Sequence, residues 1–168
     1  MTVIENDNFI QALVHYVDFS LENVKFNLKN RGYVNKPEKA LWTSTWKDDV
    51  SQIGWIKWAR MERFDIKDSL YKVTPKRIVI LYEIDLNEDY ASDQLPKTKE
   101  NFIDYQKLAS KGYDGLHLTE HGAWIGHDFR KENEHFGTTI LLNSFDCEST
   151  VWFNTDWIGS IEKMNVDF

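Results

Sequence analysis

The sequence predicts a single α+β domain built on a mainly antiparallel, split β-sheet or sandwich with two or three helices. Two observations favour this class: most strand patterns follow one another late in the chain, and the helix patterns are few and early, without a regular βα alternation. Aromatic residues make up 14% of the 168 residues, enough for a core, so we expect one domain over residues 1–168 with its core at about 10–160.

The first half of the chain contains two strand patterns and two helix patterns, namely a strand at 11–19, a helix at 20–32, a strand at 39–46 and a helix at 48–64. Ser20 can cap the first helix and Gly32 can end it. Pro37 separates that helix from the second strand. Asp48 or Asp49 can cap the second helix, because acidic side chains are favourable at a helix N-terminus.

The second half is richer in strand patterns, which lie at 69–74, 77–86, 113–120, 138–144 and 149–154. Segment 77–86 is nearly continuously apolar, which is typical of a central strand buried on both faces. One helix is expected at 98–112, with Thr98 as its cap and Gly112 just after its end. Residues 121–137 are polar and weakly periodic, which predicts a long loop, and the C-terminal tail is expected to hold at most one helical turn.

Composition excludes several classes of function. The net charge of −7 argues against a chain that coats nucleic acid or an anionic membrane, although a local site can oppose the overall sign. The N-terminus does not resemble a signal peptide, and no apolar run approaches the ~20 residues of a membrane span. With one cysteine no internal disulfide can form, so a reducing, cytoplasmic location is expected. The usual dinucleotide, P-loop, zinc-protease and serine-hydrolase motifs are missing from the sequence.

Histidine and cysteine are the two residue types that could form a metal site or act as a nucleophile. Four of the five histidines lie close together beside carboxylates, at His117, His121, His127 and His135. Such side chains can hold zinc, but histidines four apart in a strand lie about 13 Å from each other, and a solvated polar loop explains them better, so no metal is expected. Cys147 lies between Asp146 and Glu148, whose charges weaken a thiol nucleophile, so a bystander thiol is expected.

Three segments carry polar side chains that suit a ligand cleft. His15 lies within an otherwise apolar strand, as a core residue or as a ligand contact. Residues 41–45, "LWTST", place small hydroxyls beside a large aromatic ring, as in a half-buried edge strand or in the wall of a cleft. Glu148 begins a strand, where a carboxylate is either solvated or able to accept a ribose hydroxyl and stabilise an oxocarbenium-like charge.

Together these segments resemble the ADP-ribosyltransferase fold of bacterial and phage proteins. That fold has a strand with His or Arg, a strand with small hydroxyls beside an aromatic residue, and a late strand headed by Glu. "KGYDGLHL" (111–118) and "CESTVWFNTDWI" (147–158) are similar to segments of that superfamily. "KPEKALWTSTW" (36–46) and "WIKWARMERF" (55–64) are similar to a phage and bacterial pattern. The resemblance covers about residues 10–160.

The resemblance implies NAD as a co-substrate and a role for each matching residue. Glu148 would be the catalytic glutamate, and Ser44 would orient the nicotinamide ribose or support the glutamate. His15 would bind the adenosine-side ribose, and Trp42 or Tyr113 would stack on nicotinamide. Asp146 would orient the acceptor, although an Asp is shorter than the Gln or Glu of many transferases. The implied cofactor-binding residues are His15, Trp42, Thr43, Thr45 and Tyr113.

The implied function is NAD-dependent ADP-ribosyl transfer or NAD glycohydrolysis, in a phage or toxin-like effector. The acceptor would be a protein, a nucleic-acid group or water. The first alternative is an inactive protein of the same fold that binds a nucleotide or a host protein. The missing first-strand Arg and the acidic charge favour this alternative. The second alternative is an unrelated α+β domain whose aromatic residues form its core.

Overall fold

A mixed β-sheet runs through the part of the chain that the computed structural model describes, namely residues 3–6, 8–15, 18–32, 34–66, 69–85, 89, 92–123 and 145–166. The strands among these residues are β1 (Val3–Asn6), β2 (Gln11–His15), β3 (Asn27–Asn30), β4 (Pro37–Lys39), β5 (Leu41–Thr45), β6 (Ser69–Pro75), β7 (Val79–Ile84), β8 (Gly115–Leu118), β9 (Ser149–Trp152) and β10 (Ile158–Met164). The α-helices with them are α1 (Gly54–Met61) and α2 (Tyr105–Ser110). The predicted α+β class is confirmed.

Eight of these strands form one sheet in the order β1-β7-β8-β9-β5-β2-β6-β10, while β3 and β4 pair separately. β7 and β8 run parallel, which requires a crossover, and α2 lies within that crossover. The other neighbours in the sheet are antiparallel. Between β2 and β5 only two register pairs form, Gln11↔Thr45 and Ala12↔Ser44. This short junction divides the sheet into two halves, in line with the predicted split sheet.

Each helix covers a different part of the sheet. From α1, Ile56 is fully buried in a cluster with Ala12 of β2 and Leu70 of β6. From α2, Tyr105 and Leu108 are fully buried in a cluster that includes residues of β7 and β8. Strands β5 and β9 lie between these two regions in the sheet order. No helix among the described residues is long and apolar enough to cross a membrane.

The predicted helix at 20–32 is wrong. Leu21–Asn23 form a short 3₁₀ helix, and β3 follows and pairs with β4. The apolar residues Val24, Phe26 and Leu28 alternate with polar ones, and Val24 and Phe26 pack against the core. A period of two suits an extended chain better than a helix, so the pattern was misread.

The other two predicted helices are shorter than expected. Asp49 caps a 3₁₀ helix at Val50–Gln52 by accepting a hydrogen bond from the Ser51 amide (3.0 Å), and α1 begins only after it. α2 is capped by Asp104 rather than Thr98, because Lys97 and Ile103 pair in a β-bridge and the residues between them form a turn. Gly112 follows α2 with a φ of 91°, as expected of a residue after a helix end.

The predicted strands are confirmed where the structure describes them, and 77–86 contains β7, an interior strand between β1 and β8. The C-terminal tail forms the edge strand β10 instead of a helical turn. The strand predicted at 138–144 and most of the loop predicted at 121–137 lie outside the described residues. Residues 120–123 are helical.

An ion pair with a buried carboxylate fixes one end of β8. Arg77 makes two hydrogen bonds to the Asp114 carboxylate (2.7 and 2.8 Å), which also accepts from the Ile80 amide (3.0 Å) and from Asn154 Nδ2 (3.1 Å). Burial alone would raise the pKa of Asp114, but these donors together hold it below its usual value. Asp114 of the "GYDG" segment therefore joins the starts of β7 and β8 to the chain after β9.

Candidate functional site

A row of polar side chains crosses one face of four neighbouring strands. Register pairs join Glu83 of β7 to His117 of β8, His117 to Thr150 of β9, and Thr150 to Thr43 of β5. His117, Thr150 and Thr43 are buried. The Thr43 hydroxyl accepts from the Trp152 indole (2.7 Å), and His117 Nδ1 lies 2.9 Å from Thr150 Oγ1. A buried polar row of this length is costly unless each member has a partner.

Glu148 lies two residues before Thr150, beside the His117–Thr150 part of this row, and its carboxylate contacts Thr45. Its carboxylate accepts hydrogen bonds from the Thr45 amide (3.0 and 3.1 Å) and from the Thr45 hydroxyl (2.8 Å). Its backbone carbonyl accepts from Ser44 Oγ (3.0 Å), and Ser44 Oγ in turn accepts from the Trp55 amide (3.2 Å). The hydroxyl strand therefore holds both the side chain and the backbone of the glutamate.

The first residue of α1 lies directly against Glu148. A Cβ built on Gly54 would come within 2.7 Å of the Glu148 carbonyl oxygen and within 2.7 Å of its Oε2. Real Cβ contacts are not that short, so the approach of α1 to the glutamate requires glycine at this position. Strand β5 on one side and α1 on the other fix the carboxylate.

Burial sets the protonation of the ionisable groups. It raises the pKa of Glu148 to about 7, because the Thr45 hydrogen bonds and the distant Lys47 only partly offset the loss of solvation. It lowers the pKa of His117 to about 4. Burial also raises the pKa of Glu83, and the nearby Asp85 adds to that effect. The site thus favours the neutral form of each of these groups.

Two cavities flank residues 146–147. The first, about 240 Å³, is lined by Trp42, Ser44, Trp55 and Lys36, among others. The second, about 310 Å³, is lined by Gly54, Lys57, Trp58 and Glu148, among others. Cys147 lines both cavities, but burial raises the pKa of its thiol to about 12, which makes it a poor nucleophile, in agreement with the predicted bystander role.

A third cavity, about 600 Å³ and open to solvent, lies on the far side of Trp42. His15 lines it together with Lys25, Lys39 and Trp42. Trp42 and Val14 are shared with the first cavity, so the two spaces are neighbours. Glu148 does not line this third cavity.

The structure brings most of the predicted site residues together. Ser44 and Thr45 contact Glu148, Thr43 belongs to the polar row, and Trp42 and Asp146 line the first cavity. His15 is separated from Glu148 in the third cavity. Tyr113 lies beyond the opposite end of β8, where it packs edge-on against Tyr82 with ring centroids 5.8 Å apart. We therefore leave Tyr113 out of the site.

Sequence reasoning missed three members of the site: Glu83, His117 in this role, and Thr150. His117 was considered only as a metal ligand. Within the described residues no three His, Cys, Asp or Glu side chains are arranged to hold a metal ion, and His127 and His135 lie outside them. The available signal was a polar residue in the middle of an apolar strand, which "LYEI" and "GLHL" both show.

The chain matches no family model, no curated protein and no solved structure. We therefore infer a function from the geometry of the site.

Proposed function

We propose that this protein cleaves the N-glycosidic bond between nicotinamide and ribose in NAD and passes ADP-ribose to an acceptor or to water. The observation that carries the proposal is Glu148: a buried carboxylate, held by the hydroxyl strand, at the wall of a cavity. The strands that carry Glu148, Ser44 and His15 are neighbours, as the resemblance to ADP-ribosyltransferases requires.

The carboxylate has capacity left for a ligand. A carboxylate offers about four lone-pair sites, and the described protein donors to Glu148 are the amide and the hydroxyl of Thr45. A ribose hydroxyl in the second cavity can occupy another site. As the C1′–N bond breaks, its electron pair leaves with nicotinamide, and the anionic carboxylate stabilises the positive charge on the ribose. The acceptor then forms a bond to C1′ and loses its proton.

The cavities offer groups that suit a dinucleotide. Trp42 and Trp55 provide aromatic surface in the first cavity, and Trp58 provides it in the second. Lys36 in the first cavity and Lys57 in the second can face phosphate oxygens. Lys36 is paired with Asp146 and Lys57 with Glu120, carboxylates that line the same cavities, so a bound phosphate would take the place of these partners.

A second candidate function is nucleotide binding without turnover. The separation of His15 from Glu148 favours it, because a nucleotide held in the third cavity by Lys25 and Lys39 does not reach the carboxylate. The same surface would then serve a non-enzymatic protein that sequesters a nucleotide or presents it to a host protein.

Nicotinamide release from NAD tests the two candidates. The wild type, Glu148→Gln and the matched control Glu162→Gln on the exposed edge of β10 are compared, with cell lysate as a source of acceptors. We expect Glu148→Gln to lower kcat by roughly 100- to 1000-fold, the usual effect of removing one preorganised electrostatic contact. Glu162→Gln retains full activity and the melting temperature of the wild type, and Glu148→Gln remains folded at the assay temperature.

Two results would count against enzymatic turnover. If NAD raises the melting temperature of the wild type but no nicotinamide appears, the second candidate is correct. If neither binding nor release occurs, both proposals fail. Equal turnover by the wild type and Glu148→Gln contradicts the role of the glutamate.

A further inference from the structure

His117 lies between two buried carboxylates. Its Nδ1 is 3.7 Å from Glu148 Oε1, and its Nε2 is 4.0 Å from Glu83 Oε2. The exposed fractions of the three side chains are 7% for His117, 10% for Glu148 and 17% for Glu83. Three ionisable groups this close together and shielded from water can interact strongly enough to titrate as a coupled set.

The groups packed against the imidazole are otherwise neutral. Phe9 meets the His117 ring edge-on, with centroids 5.3 Å apart, and Thr150 faces Nδ1. With Nδ1 as acceptor for the Thr150 hydroxyl, Nε2 carries the ring proton and points it towards Glu83. The further charges that act on the row are those of Lys47, Glu120, Asp85 and Asp89. His117 is thus the nearest base to Glu148.

Glu148 faces a conflict in the proposed reaction. Stabilising a cationic ribose requires an ionised carboxylate, yet burial keeps much of Glu148 protonated at neutral pH. The Thr45 amide and hydroxyl already donate to the carboxylate, so among the described residues the base within 4 Å that can take a proton from it is His117.

We propose that His117 is a positioning residue that takes the proton from Glu148 when the cationic nicotinamide ribosyl group binds, an inference that rests on the proposed function. As the O–H bond of Glu148 breaks, an N–H bond forms at His117 Nδ1 and the Thr150 hydroxyl turns from donor to acceptor of that N–H, so the charge of the pair does not change. The resulting imidazolium lies between two carboxylates, Glu148 and Glu83. The ligand's positive charge favours this arrangement, because it attracts the anionic form of Glu148 and repels its proton.

The ligand-free protein gives the first test, by carbon-13 NMR titration of carboxyl-labelled glutamate. The Glu148 signal is the one missing in Glu148→Gln. In His117→Asn the pKa of Glu148 rises by about one unit or more, the size of coupling expected for two interacting sites. In the control His121→Asn, whose imidazole is 59% exposed and faces Asp85, it does not change. An unchanged Glu148 titration in His117→Asn overturns the coupling, whether or not the protein turns over NAD.

The pH dependence of kcat/KM gives the second test. From pH 9 to pH 5.5 we expect the wild type and His121→Asn to change by about threefold or less, because His117 accepts the proton. His117→Asn loses about 100-fold over that interval, since Glu148 then titrates alone, yet lies within about tenfold of the wild type at pH 9. A structural defect would lower activity equally at all pH values and would overturn the proposal. Absence of nicotinamide release at every pH overturns the proposed function and the ligand-driven step, while the NMR titration decides separately on the coupling.

Discussion

Two buried carboxylates lie at opposite ends of the β8–β9 strand pair and are treated in opposite ways. Asp114, at one end, is neutralised by Arg77 and accepts further hydrogen bonds, and its pKa is low. Glu148, at the other end, is hydrogen-bonded by Thr45, a neutral residue, and its pKa is raised to about 7. Their side chains are 8% and 10% exposed, and the difference comes from the donors around Asp114 together with the deeper burial of Glu148.

The contrast between Asp114 and Glu148 distinguishes a structural carboxylate from a candidate functional one. The chain provides a guanidinium where a buried carboxylate serves to join strands. At Glu148 none of the described residues provides a close cation, which costs stability and produces a group whose proton is exchangeable near neutral pH. Perturbed carboxylates of this kind concentrate at functional sites, whereas well-paired ones do not identify a site.

Removing the well-paired carboxylate gives the largest expected effect on stability. Asp114→Ala leaves the Ile80 amide and Asn154 without their acceptor and Arg77 without its partner. We expect a loss of roughly 3 to 4 kcal/mol in the free energy of unfolding, the lower part of the range for broken buried pairs because Arg77 is 40% exposed. Chemical denaturation measures it, with Asp93→Ala at an exposed position as control. A loss below about 1 kcal/mol contradicts the locking role of Asp114.

The second prediction concerns the pH dependence of stability. Glu148, with a raised pKa, stabilises the fold below its unfolded value of 4.5, and this contribution is lost as the pH rises to about 7. His117, with a lowered pKa, stabilises the fold above 6.5, and this contribution is lost as the pH falls to about 4. In the wild type the two trends nearly cancel between pH 4.5 and 6.5.

Single variants remove that cancellation. Relative to the wild type, the unfolding free energy of His117→Asn falls by about 2 kcal/mol from pH 4.5 to 6.5, and that of Glu148→Gln rises by about 2 kcal/mol. Urea unfolding at a series of pH values measures both slopes. Slopes of the same sign in the two variants are incompatible with this arrangement.

The smallest effect is expected at Thr45. Thr45→Val removes the hydroxyl donor to Glu148 but keeps the backbone amide bond. At pH 8 we expect a loss of about 1.5 kcal/mol in unfolding free energy and a higher pKa of Glu148, because a hydrogen bond to the anionic form is gone. Thr45→Ser keeps the donor and serves as the control. NMR titration of Glu148 measures the pKa; a lower pKa in Thr45→Val is the contrary result.

Chemical character made part of the site predictable. Glu148, Ser44 and Thr45 were identified because a glutamate at a strand end and a hydroxyl strand suit a ribose ligand. The place of His117 beside Glu148 depends on the register of β8 against β9, and register is set by tertiary pairing between residues far apart in sequence. The separation of His15 from Glu148 also depends on pairing, since β2 and β5 meet at two positions alone.

The fold was predictable where the apolar residues followed a single period, that of a strand or that of a helix. Strand β7 and the end of α2 at Gly112 follow from the apolar run and the glycine. The apolar residues in 20–32 fit both the period of a helix and that of a strand. The packing of Val24 and Phe26 against the core favours the extended form. β10 was not predicted because six of its seven residues are not buried, as suits an edge strand with one solvated face.

The short β2–β5 junction explains how the first and third cavities form. Beyond Ala12 and Ser44 the two strands no longer pair, and the first and third cavities lie there. Val14 and Trp42 line both cavities. The space therefore comes from diverging backbones and not from side chains trimmed out of the interior. A chain of 168 residues can in this way keep two neighbouring cavities beside a core of fully buried apolar side chains.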